Sequence, residues 1–190
     1  MMIGESFFTL RTILWEDGAI VAVDQRLLPK RFKYVKIRSV DQLSEAIKKL
    51  TIRGAPAIGV AAALGLALVA YRSKAENLSD FKREVMDAYE KLKSTRPTAV
   101  NLFWALDRVV AKISEAKDLK EAKKMIIEEA KTIWMEDYEV NRRIGEHGAT
   151  LLENGDMVLT HCKWLKPAEC GSTSHYWLWN RIGSNKVSYS

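Results

Sequence analysis

The sequence predicts an α+β fold leading into α/β, and three observations carry that reading. Residues 7–15 and 19–24 are β-rich runs flanking Glu16-Asp17-Gly18, which signals a hairpin. From Ser39 to about residue 152, apolar residues recur at helical spacing. After Asn154-Gly155, a turn signal, Met157-Val158-Leu159 forms a short apolar run of the kind that opens a buried parallel sheet. The expected organisation is an amino-terminal domain over 1–152, with a small antiparallel sheet at 7–38 and a helical bundle at 39–152. The first strand of an α/β unit follows at 153–162, and then an off-pattern tail at 163–190.

In the sheet, Phe32, Tyr34, Val35 and Ile37 alternate imperfectly with Lys33, Lys36 and Arg38, which predicts a third strand. Ser39 with Gln42 resembles a capping box, opening a helix whose Leu43, Ala46, Ile47 and Leu50 share one face. Residues 55–70 are almost free of polar atoms. A bilayer needs roughly 20 apolar residues, and this run begins near Pro56 and is rich in alanine and glycine, so a buried central helix is expected rather than a membrane span. Ser79 is the expected cap of a further helix, with Phe81, Val85, Ala88, Tyr89 and Leu92 on its inner face. The next helix is expected from Ala99 to about Ala116. Asp118 with Glu121 then starts a long helical segment that Gly145 and Gly148 should bend or interrupt.

At 190 residues and 47% hydrophobic content the chain can bury a core. Its formal charge of +6 invites a nucleic-acid reading, but half of the excess falls after Cys162 and the remainder is interspersed on helix faces, so no nucleic-acid partner is expected. Only two cysteines, and no charged-then-apolar leader ahead of Glu5, point to a reducing, cytoplasmic setting.

Chemistry concentrates in two loops and one strand end. Thr51-Ile52-Arg53-Gly54-Ala55-Pro56 is a loop feeding a helix: Pro56 suits the first turn, Gly54 lets backbone approach a ligand, and Arg53 adds a forked cation to the positive helix end. Lys93-Ser94-Thr95-Arg96-Pro97-Thr98 repeats this chemistry, with Asn101 just beyond it to orient a hydroxyl or satisfy backbone. The two arginines either converge on one phosphorylated ligand or form ordinary surface salt bridges. Thr160-His161-Cys162 ends the apolar run where open parallel sheets place their sites, so Cys162 is either a reactive thiol or an inert buried one. His147 has no second histidine at metal spacing, and no metal is expected.

Residues 15–18, Asp24-Gln25-Arg26, Leu28-Pro29, Arg53-Gly54-Ala55-Pro56-Ala57-Ile58-Gly59, Ser94 through Leu102, 141–149 and Thr160-His161-Cys162 together resemble methylthioribose-1-phosphate isomerase of methionine salvage. The wider family includes ribose-1,5-bisphosphate isomerase and the alpha, beta and delta subunits of translation initiation factor 2B. The resemblance implies aldose–ketose isomerisation of 5-methylthioribose 1-phosphate without a redox cofactor. It also implies substrate binding by Arg53, Gly54, Ala55 and Arg96, catalysis by Cys162 with an aspartate, a Rossmann-like second half and a homodimer. Family members are about twice this length, and this chain leaves their pattern after Cys162. An isomerase half that is inactive alone is therefore expected, a translation initiation factor 2B-like scaffold subunit is the second reading, and a ribose-1,5-bisphosphate isomerase relative is the third. The tail Tyr176-Trp177-Leu178-Trp179-Asn180 has no periodicity. Read one base later, both of its tryptophan codons become glycine codons, consistent with a shifted reading frame.

Overall fold

A computed structural model describes residues 11–28 and 30–151. They fall into two compact units, Ile13–Asp137 and a second whose described part is Arg11, Thr12 and 138–151. The strand expected at 153–162, Cys162 and the tail at 163–190 lie outside the described residues.

The larger unit opens with β1 (Ile13–Glu16), β2 (Ala19–Val23) and β3 (Tyr34–Ile37), an antiparallel sheet in the order β1-β2-β3. Glu16 faces Ala19 across a two-residue turn in which Asp17 and Gly18 both have positive φ, 47° and 65°. That mirror-image turn matches the twist of a hairpin. Glycine is required at its second position for another reason, since a Cβ there would stand 2.0 Å from the Tyr71 ring. β2 ends one residue short of expectation. Asp24 leaves the ladder, its N–H donating to the Lys33 carbonyl at 2.9 Å while its buried carboxylate accepts from Arg26 at 2.6 and 2.8 Å.

Helix α1 (Val40–Lys48) starts at Ser39, whose Oγ accepts from the Gln42 N–H. The return bond goes one residue further back than in a standard capping box: Gln42 Oε1 accepts from the Arg38 N–H at 2.7 Å. Leu43, Ala46 and Ile47 are buried as expected, but Leu50 is not on that face. The helix stops before it. Leu50 N–H donates to the Ile47 carbonyl and Thr51 N–H to the Ala46 carbonyl, the two bonds of a Schellman end. Leu50 occupies the left-handed position of that motif at φ 60°, where a leucine costs about 1–2 kcal/mol of backbone strain that a glycine would avoid.

Helix α2 (Ala55–Arg72) is the centre of the unit: every residue from Ala57 to Leu68 is buried, and α1, α3, α4, β1 and β2 all pack against it. It is long and apolar enough to cross a membrane, but here that surface is spent on the core. Leu64, Leu66 and Leu68 are each fully buried, worth about 1.5–3 kcal/mol apiece.

Helix α3 (Leu78–Lys93) is capped by Asn77 rather than Ser79. Asn77 Oδ1 accepts from the Asp80 N–H at 2.9 Å and its amide donates to the Asp80 carboxylate, leaving Ser79 exposed inside the first turn. Phe81, Val85, Ala88 and Leu92 are buried, while Tyr89 is half-buried and donates to Asp107. Helix α4 (Val100–Ile113) is shorter than expected at both ends, because a turn closed by Ala99 N–H on the Arg96 carbonyl precedes it and turn bonds from Ser114 follow it. Helix α5 (Leu119–Ala149) is capped by Asp118, as its spacing with Glu121 suggests. Neither Gly145 nor Gly148 interrupts it. Each glycine costs only about 1 kcal/mol in a helix, and Arg142, paired with both Glu139 and Glu146, supports that stretch.

Candidate functional site

The loop between α1 and α2 is tied on two sides. Thr51 and Ile52 N–H groups both donate to the Ala46 carbonyl, at 2.8 and 3.2 Å. Gln25, just past β2 and buried, donates from its backbone N–H to the Thr51 carbonyl at 3.0 Å and from Nε2 to the Arg53 carbonyl at 3.1 Å. Gly54 then turns the chain at φ 92° into α2, with Pro56 in the first turn.

The second arginine loop reaches the same place by a different route. Thr95 is buried with its hydroxyl on the Leu92 carbonyl at 2.6 Å, and Pro97 and Thr98 occupy the middle of the turn that delivers the chain to α4. Close packing brings the starts of α2 and α4 together. A Cβ on Gly59 would meet the Asn101 carbonyl oxygen at 2.9 Å, so the α2 backbone there approaches α4 as nearly as it can.

Between them lies an open pocket of about 470 Å³ lined by Leu50, Arg53, Gly54, Ala55 and Ile58 on one side of the sequence and Arg96, Thr98, Ala99, Val100 and Asn101 on the other. Thus the structure brings Arg53, Gly54, Ala55 and Arg96 to one cavity. Neither guanidinium forms an ion pair or hydrogen bond among the described residues. The Asn101 side chain is likewise taken by no described group.

Three helices are closed at their starts by side chains, from Ser39, Asn77 and Asp118. The two that open on the pocket are not: α2 begins at Gly54 and α4 at Ala99, neither with a side-chain cap. Their first-turn N–H groups and positive ends therefore add to two cations, with no carboxylate in the lining. Such an arrangement can hold a compact polyanion by charge-assisted hydrogen bonds. Cys162, expected to react there, lies outside the described residues. His147 is exposed in the smaller unit, and no cluster of three His, Cys, Asp or Glu side chains occurs among the described residues.

Gln25, Leu50, Ala99 and Val100 were not foreseen as parts of this site. For Gln25 the sequence holds no local signal, since its contact spans 28 residues. For α4 the sequence pointed elsewhere, since Thr98 is a competent cap, and only the structure puts Ala99 at the cap position.

The larger unit thus sets two arginines with no described partner, and two helix starts without side-chain caps, around one cleft. The chain belongs to the Initiation factor 2 subunit family, whose profile matches residues 51–164. It is 43% identical over 157 residues to methylthioribose-1-phosphate isomerase of Geobacillus kaustophilus, a match covering 83% of this chain and 44% of that protein. The crystal structure of 5-methylthioribose 1-phosphate isomerase from Pyrococcus horikoshii superposes with a TM-score of 0.84 at 41% identity, over 94% of this chain and 51% of that one. The delta subunit of translation initiation factor eIF-2B from A. fulgidus gives a TM-score of 0.77 at 40% identity, over 86% and 48%. The chain spans about half the length of the relatives it matches.

Proposed function

We propose that the pocket holds the phosphate of a sugar 1-phosphate and that this chain is the phosphate-holding half of a methylthioribose-1-phosphate isomerase-type fold. The observation that carries this is the pair of arginines, without partners among the described residues, that converge with two uncapped helix starts on one cavity. In this reading Arg53 and Arg96 grip the phosphate oxygens, and Gly54 and Ala55 present backbone at α2's start. Asn101 meets a sugar hydroxyl, and Cys162 serves proton transfer between C1 and C2 with an aspartate from the part of the relatives that this chain does not span. The reaction is an aldose–ketose isomerisation to 5-methylthioribulose 1-phosphate in methionine salvage, needing no redox cofactor, in the cytoplasm. This reading draws one member of the acid–base pair from the part of the relatives that this chain does not span, so the 190-residue polypeptide by itself is expected to bind the ester without turnover.

Calorimetric titration of the full chain with 5-methylthioribose 1-phosphate tests the reading. Saturable binding is expected, falling at least about tenfold in Arg53→Ala and in Arg96→Ala, as for loss of a charge-assisted bond worth about 1.5–3 kcal/mol. Binding unchanged in both variants would refute it. The likeness to the eIF-2B delta subunit favours a second reading, a regulatory or scaffold subunit. Retention of initiation factor 2 by the chain, with no response to the sugar phosphate, would favour that reading instead.

A further inference from the structure

The lip of the pocket carries a residue that its own backbone position disfavours. Leu50 fills the left-handed position of the α1 terminus, where glycine or asparagine fits without strain. The core does not claim its side chain, which is 42% exposed, and Leu50 lines the same cavity as Arg53 and Arg96. Val100, 75% exposed, lines it too. Residues kept in sparsely populated backbone regions gather at ligand clamps, and here an apolar group is retained at the place where strain and exposure both argue for a small or polar one. The pocket thus carries exposed apolar side chains beside its two cations, a pairing suited to a phosphate ester with an apolar substituent.

We propose that Leu50 is a specificity-determining residue whose side chain packs against the apolar, thioether-bearing end of the sugar phosphate. This rests on the phosphate reading of the pocket. The test is calorimetric titration of the full chain and of Leu50→Asn with inorganic phosphate, ribose 1-phosphate and 5-methylthioribose 1-phosphate. Asparagine tolerates the left-handed backbone, so the variant should fold with an unchanged or higher thermal midpoint. The wild type should bind the methylthio ester about tenfold more tightly than ribose 1-phosphate, as for burial of about two methylene-sized groups. In Leu50→Asn that ratio should fall to about twofold or less while inorganic phosphate affinity stays the same. A ratio that survives in Leu50→Asn, or is absent from the wild type, overturns the role of Leu50 while leaving the phosphate site. An equal loss for all three probes also overturns it, because it would mean Leu50 only shapes the turn. Silence of all three probes in the wild type removes the phosphate reading and the role of Leu50 together.

Discussion

Gln25 hydrogen-bonds to neither arginine side chain, yet it holds the carbonyl of Arg53 and that of Thr51 from a buried position. Its amide acts as a strap across the loop whose other side is fixed to Ala46. Replacing it by methionine keeps the volume and removes the Nε2 donor. Gln25→Met should weaken sugar phosphate binding several-fold, about the value of one buried neutral hydrogen bond. In an Arg53→Ala background the same change should do almost nothing further. Additive losses in the double variant would mean that Gln25 acts on the site by some route other than Arg53. The two arginines themselves were legible in the sequence, each within three residues of a proline at the mouth of a helix. Their convergence was not, because it depends on a close approach between segments 42 residues apart at Gly59 and Asn101. Leu50 was misassigned for a related reason: the helical apolar period runs two residues beyond the helix itself, and nothing local marks a leucine about to turn left-handed.

At the scale of elements, the two glycines of α2 do different work. A Cβ on Gly65 would press on Leu43 Cδ2 and Leu92 Cδ1 at 2.6 and 2.8 Å, both free ends of flexible side chains. A Cβ on Gly59 would press on backbone. Gly65→Ala should therefore stay within about 1 kcal/mol of wild type, since its strain is offset by alanine's helix propensity, and should bind phosphate normally. Gly59→Ala should lose about 1–3 kcal/mol and also weaken binding, because α4's start must move away from α2's. Chemical denaturation with parallel phosphate titration checks both. If Gly59→Ala binds as well as wild type, the spacing of the two helix starts does not set the pocket. Element types were readable because amphipathic spacing dominates α1, α3 and α4, and two caps followed from Ser39 and Asp118. The cap of α3 was not, since Asn77 and Ser79 are both competent and the backbone turn alone decides between them.

For the molecule as a whole, acid should be more damaging than the abundance of surface ion pairs suggests. The Arg26 guanidinium hydrogen-bonded to Asp24 holds its carboxyl below the usual range, and Arg108 does the same to Glu136. A carboxyl lowered in the folded state contributes stability that is fully present above its unfolded value and is lost as pH falls through its folded value. Asp24 is buried whereas Glu136 is half exposed and screened, so Asp24 should carry more of the effect. Asp24→Asn is expected to lower the thermal midpoint at pH 7 and to converge with wild type as pH drops below about 4. Glu136→Gln should change the curve much less, and a constant gap between Asp24→Asn and wild type across that range would contradict the assignment.

The placement of α2 also bears on how the chain comes to be made. Its apolar surface is shared among partners on both sides of it in sequence, with β1, β2 and α1 translated first and α3 and α4 afterwards. At about 5–20 residues per second, the roughly 40 residues from the end of α2 to the end of α4 take about 2–8 s to emerge from the ribosome. During those seconds the greasiest segment of the polypeptide stands half sheathed, which makes the nascent chain, more than the finished one, a client for chaperones.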